Sequence, residues 1–97
     1  MLSKVILKGY ILIPDADLEI VKAELFLHSK LTKEEPGCLV FNVTPDDKNV
    51  NKFNVYEEFI DQIAFDHHQS RVKRSNWGKV TKRVTREYKI SYDVENL

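Results

Sequence analysis

An α+β fold in the order β-α-β-β-α-β is predicted by three observations on this chain. Val5 to Ile13 is almost continuously apolar, as expected of a central strand covered on both faces. Asp17 to Lys33 is built from helix formers and stops at Pro36-Gly37. Beyond that break come a strand pair, a second helix and a last strand, which together give the split βαβ arrangement of ferredoxin-like domains.

Each element has its own signal. Pro14-Asp15 ends the first strand. In the first helix Leu18, Ile20, Val21, Leu25, Leu27 and Leu31 fall on one arc at roughly 100° per residue, with Glu24 and His28 near its middle. Cys38 to Thr44 and Lys52 to Phe59 are strands, and the polar turn Pro45-Asp46-Asp47-Lys48-Asn49 between them predicts a hairpin. Asp61 is placed to cap a second helix that continues to Trp77, with Gly78 just beyond it. The last strand is expected from Val80 to about Tyr92, half apolar, followed by a loose tail over 93–97.

Composition narrows the function classes. Ninety-seven residues, 42% of them hydrophobic, suffice for one domain spanning 1–97 with its core over about 4–90. Lys+Arg and Asp+Glu number 15 each, so the basic excess of a nucleic-acid binder is missing. The single cysteine, Cys38, allows no internal disulfide and fits a cytoplasmic location. Lys8 interrupts the apolar run 5–13, which reads as a strand rather than a signal sequence or membrane span. Gly9, Gly37 and Gly78 stand alone, without a phosphate loop or a flavin or nicotinamide fingerprint, so no bound cofactor is expected. His28, His67 and His68 with Glu24 or Glu57 suit zinc or iron by ligand type. Adjacent helix residues diverge by about 100°, however, and no metal site is expected.

Chemistry is expected where polar groups fall on apolar faces. In the second helix Ala64, Phe65, His68, Val72 and Ser75 share a face, with Arg71 at its margin and His67 turned to the flank. Phe53, Val55, Glu57 and Phe59 share one strand face, so Glu57 faces the same space as His68. An imidazole beside a carboxylate can move protons at neutral pH, which makes His68 and Glu57 the candidate catalytic pair. Purely structural readings stand beside this one. His68 can be a satisfied core histidine, Glu57 an edge-strand carboxylate near solvent, and Glu24 with His28 a polar pair filling a gap. The default for Arg71, Lys73 and Arg74 is a solvated helix face.

Glu35-Pro36-Gly37-Cys38, followed by Glu57-x-Phe59-x-Asp61-x-x-Ala64-Phe65-x-x-His68, resembles the antibiotic biosynthesis monooxygenase family, including its quinol monooxygenase branch. Gln69-x-Arg71-Val72, Trp77-Gly78 and Tyr88 resemble one uncharacterised branch. The resemblance covers roughly residues 4 to 90. It implies a ferredoxin-like fold paired into a dimeric α/β barrel, a cavity between sheet and helices, and oxidation of quinols or phenols by dioxygen without metal or flavin. Two departures qualify the carry-over. Many members follow the helix-two His with Ser or Thr and a second His, where this chain has Arg71 and Lys73, and haem-degrading relatives need an Asn in strand one, where 5–13 has none.

The expected activity is thus cofactor-independent oxidation of a small aromatic quinol or phenol. His68 and Glu57 would be catalytic, His28, Arg71 and Glu24 would contact an anionic substrate, and Phe41, Phe53, Phe65 and Val72 would form apolar walls. An isomerase or lyase acting on a small anionic metabolite and a non-catalytic ligand-binding dimer are the alternatives. An apolar pocket favours the first, a basic pocket the second and a closed core the third. A homodimer is expected in every case, because helices on one side of a four-stranded sheet leave its other face uncovered.

Overall fold

The computed structural model describes residues 3–94 and has the predicted ferredoxin-like α+β order with two additions. Strand β1 (Ser3–Leu12) passes through one 3₁₀ turn (Asp15–Asp17) into helix α1 (Leu18–Lys33). The hairpin β2 (Cys38–Pro45) and β3 (Lys52–Phe59) follows, then α2 (Gln62–Arg74), a short α3 (Asn76–Val80) and β4 (Thr85–Val94). All strand pairs are antiparallel in the order β2-β3-β1-β4, which leaves β1 and β3 interior.

Local chemistry explains the joints. Asp46 Oδ2 accepts from the N–H groups of Lys48 and Asn49 at 3.1 and 3.2 Å, closing the hairpin turn. Asp61 Oδ1 accepts from the Ala64 N–H at 2.8 Å, the predicted cap of α2. Gly37 adopts φ 92°, and a Cβ there would lie 2.7 Å from the Ala64 side chain, so only glycine lets this loop press against the first turn of α2. Its carbonyl accepts from the Ile60 N–H at 2.8 Å.

One sheet face meets the helices. Val5, Leu7 and Ile11 of β1 and Phe53, Val55, Glu57 and Phe59 of β3 are buried there, with Val21, Phe65, Trp77 and Val84 completing the core. Side chains of this kind contribute about 1.5–3 kcal/mol each when fully buried, which makes this layer the main source of stability. Among the described residues the opposite face carries no helix. Its β1 residues alternate Lys4, Ile6, Lys8, Tyr10 and Leu12, and Lys4 Nζ pairs with Glu58 at 3.1 Å while Tyr56 donates to the same carboxylate. That face is more polar than the apolar run of β1 suggests.

Three sequence expectations change. Helix two does not reach Trp77: Ser75 leaves helical geometry (φ −86°, ψ 166°) and caps α3, accepting from the Gly78 N–H at 3.2 Å, so Trp77 and Gly78 lie inside a separate turn. A serine hydroxyl satisfies a helix start better than a helix interior. The last strand starts at Thr85 rather than Val80, because Val80 ends α3 and the buried Thr81 hydroxyl binds the Trp77 carbonyl at 2.6 Å. The buried stripe of α1 is narrower than drawn. Val21, His28 and Thr32 are buried, whereas Ile20, Leu27 and Leu31 are 55%, 46% and 39% exposed, since the helix packs along one side only. Asp93 and Val94 close β4, and the rest of the tail expected to be loose lies outside the described residues.

Gly37→Ala is expected to lower stability by about 1–3 kcal/mol through positive-φ strain and collision with Ala64. Urea unfolding followed by circular dichroism measures it, and an unchanged midpoint would contradict the tight-loop account.

Candidate active site

His68 and Glu57 meet because their elements place them there. Phe41 and Leu7 flank Glu57 in the register of β2, β3 and β1, so this carboxylate stands mid-sheet rather than on an edge strand. The cap at Asp61 sets the phase of α2, which turns His68 inward at 3% exposure and leaves the neighbouring His67 exposed. His68 Nε2 comes within 3.7 Å of Glu57 Oε1. On its other side Nδ1 lies 3.2 Å from both oxygens of Glu35, a residue of the Pro36-Gly37 loop. Glu35 in turn accepts from Arg71 Nε at 2.5 Å, and Arg71 also donates to Thr32 Oγ1 at 2.9 Å.

Burial tunes these groups. It pushes Glu57 up to about 7, with the negative charge of Glu35 adding to the effect. It pulls His68 below the usual histidine range, only partly opposed by the attraction and hydrogen bond of Glu35. His28 is held down to about 3 by burial and by the positive charges of His68, Arg71 and Arg86. Near pH 7 both inward imidazoles are therefore neutral, and Glu57 is poised between its two forms. With Nδ1–H of His68 donated to Glu35, Nε2 presents its lone pair beside Glu57.

Both residues open on a cavity of about 190 Å³. Leu7, Ile11, Val43, Val55 and Val72 give it apolar walls, Phe41, Trp77, Tyr88 and His28 aromatic ones, and Gln69 and Arg86 border it. His28 stacks on Trp77 at 4.4 Å and meets the edge of Phe41 at 5.3 Å, and its Nδ1 is buried without a hydrogen-bond partner among the described residues. Tyr88 is driven up to about 12 by burial and the Glu57 charge, so its hydroxyl stays protonated.

Of the sequence-predicted residues, His68, Glu57, His28, Phe41 and Val72 border this cavity. Four others do not. Glu24 is only half-buried and forms no pair with His28; Phe53 belongs to the core; Phe65 packs edge-on against Phe59 at 5.5 Å; Arg71 is spent on Glu35 and Thr32. The sequence reading missed Glu35 as the second carboxylate on His68, along with Trp77, Arg86 and Tyr88. Glu35 stood in the quoted Glu-Pro-Gly-Cys motif, and that was the available signal. A broader open groove along α1 beside Lys22, Phe26 and Lys33 has no acid–base pair. Among the described residues no cluster of three or more His, Cys, Asp or Glu is arranged for a metal, and no helix is long and apolar enough to cross a membrane.

A ferredoxin-like sheet whose helices enclose a histidine between two carboxylates defines a small α+β domain equipped for proton transfer. The antibiotic biosynthesis monooxygenase family model matches residues 12–77, and the chain belongs to that family. Monooxygenase-type function is accordingly its class at the level of the family. Among solved structures, a candidate antibiotic biosynthesis monooxygenase of Nitrosomonas europaea aligns with TM-score 0.77 at 14% identity, covering 92% of this chain and 86% of that one. Protein SO0527 of Shewanella oneidensis gives 0.77 at 16% identity over 96% and 95% of the two chains. MupZ of Pseudomonas fluorescens gives 0.75 at 22% identity over 93% and 68%. At these identities the likeness is one of fold. A comparison with curated proteins finds no match in sequence.

Because the folded state holds the Glu57 proton up to about 7 against an ordinary 4.5, it binds more protons than the unfolded chain between those values. Stability contributed by Glu57 is thus present at low pH and lost as pH rises through about 7. Glu57→Gln is expected to gain on the native protein over that range, by up to about 3 kcal/mol at pH 8. Urea melts of both proteins at pH 4.5 and pH 8 measure the difference, and a pH-independent gap would refute the buried-carboxylate account.

Proposed function

We propose that the chain is a cofactor-free monooxygenase that oxidises a single-ring quinol or phenol with dioxygen. The observation that carries this reading is His68, neutral and buried between Glu35 and Glu57 on the wall of a small aromatic cavity. A dry cavity of about 150 Å³ admits benzene, so about 190 Å³ suits one ring rather than a fused system.

In the proposed reaction His68 Nε2 takes a phenolic proton, and the electron-rich quinolate reduces dioxygen. A ring carbon ortho to the oxygen forms a C–O bond to give a hydroperoxide. His68 returns its proton to the peroxide and then takes the ring C–H proton as the O–O bond breaks, while Glu57 in its protonated form supplies the proton with which water leaves and is recharged from His68. One oxygen atom ends in the ring as a hydroxyquinone and the other in water, so quinol plus dioxygen balances without a further reductant. Glu35, clamped by Arg71, keeps Nδ1 protonated and the ring in place, while the unpartnered His28 imidazole contacts a substrate oxygen.

His68→Ala is expected to slow oxygen uptake with a panel of hydroquinones by on the order of 10²-fold or more. His67→Ala, exposed on the same helix, should leave it near the native rate. Equal rates in both variants and the native protein, with folding checked by circular dichroism, would remove His68 from catalysis.

The working form is proposed to be a homodimer in the cytoplasm. Tyr88, Ile90 and Tyr92 pair with Gly9, Leu7 and Val5 and so face the helix side of β4, yet stay 39%, 44% and 56% exposed because no helix of the same chain covers this edge. Light scattering should return twice the chain mass at micromolar concentration, and Ile90→Asp should shift it toward the monomer. A native monomer would contradict the pairing.

A further inference from the structure

A second recess, of about 400 Å³, adjoins the inner cavity and shares Gln69, Val72 and Arg86 with its wall. Lys73 and Gly78 complete it, so its two ionisable side chains are both cationic. Neither Lys73 nor Arg86 is ion-paired among the described residues. The Arg86 guanidinium is anchored: it donates to the Thr81 carbonyl at 3.2 Å and to the Thr81 hydroxyl at 2.7 Å, and Thr81 is fully buried. Two of its five N–H groups are thus engaged, and the remaining donors are held in one place rather than swung through solvent.

The inner cavity is unlike this recess. It is aromatic and carries two neutral imidazoles and the half-ionised Glu57 near pH 7, with Arg86 standing at the border between the two compartments. An anionic group is disfavoured beside Glu57 and favoured beside Arg86 and Lys73, so the paired compartments have opposite preferences. We infer that the substrate is a single-ring hydroquinone bearing a carboxylate on a short arm, its ring in the inner cavity and its carboxylate on Arg86 and Lys73. The inference rests on the oxidative reading for the ring, whereas the anion subsite stands on the recess alone. Arg86 accepts the carboxylate through its fixed planar fork, and Lys73 adds a point charge from α2. The subsite also sets direction, because the carboxylate tether fixes which ring oxygen reaches His68.

The probes are 2,5-dihydroxyphenylacetate and its methyl ester, which share ring, arm and size and differ in charge. In anaerobic calorimetric titrations the acid is expected to bind about tenfold more tightly than the ester. Lys73→Gln and Arg86→Gln should each reduce that preference several-fold, and 0.5 M salt should narrow it in the native protein. Lys73 is exposed, so its variant keeps the test intact if the Arg86 variant folds poorly. Equal binding of acid and ester, or a preference untouched by both variants, overturns the anion subsite. Acid preference without oxygen uptake leaves the subsite standing and overturns the oxidative reading. Uptake with neutral hydroquinones but no acid preference does the reverse.

Discussion

An imidazole 3% exposed and set between two carboxylates is costly to bury unless every charge around it finds a partner. The chain meets that demand in sequence: Glu57 faces Nε2, Glu35 takes Nδ1, Arg71 takes Glu35, and Thr32 takes Arg71. Removing an interior member would leave a buried group unsatisfied, at roughly 1–3 kcal/mol or more. Much of the local backbone serves this row. Gly37 lets the Glu35 loop press on α2, Asp61 sets the phase of that helix, and the pairing of β3 with β1 and β2 aims Glu57 at it.

The same row explains why the acid and base differ in readiness. Glu35 carries a fixed counterion in Arg71, whereas Glu57 has, among the described residues, only the imidazole of His68 within salt-bridge distance. Two carboxylates near one imidazole therefore differ, one held against a guanidinium and the other, Glu57, pushed up to about 7 by burial. Aromatic side chains add to the difference, since Phe41, Trp77 and His28 line the cavity on which Glu57 opens, whereas Glu35 lies outside that lining.

Sequence periodicity carried the strands and the inward side of α2, because alternation in 53–59 and the 3.6 period after Asp61 are each produced by a single packed face. It misjudged α1, where apolar residues at Ile20, Leu27 and Leu31 belong to a face the same chain leaves exposed. Glu35 stands out only as part of the Glu-Pro-Gly-Cys motif, since its partners lie 33 and 36 positions away and no local pattern encodes such a distance. Arg71 shows the matching limit: a wheel gives the margin on which a guanidinium sits, not the carboxylate it binds. Ser75 reads as a residue of the inward face of α2, because a helix-ending serine differs from an interior one only by the turn it starts.

The stack of Trp77 on His28 has an optical consequence. Trp77 is the only tryptophan in the chain and it lines the inner cavity, so emission excited beyond the tyrosine band comes from one indole facing that cavity. Protonated imidazole would quench it, but His28 stays uncharged down to about pH 3. That source of quenching is absent above about pH 3, and any occupant of the cavity would lie against the indole, so the fold contains its own fluorescent gauge of occupancy.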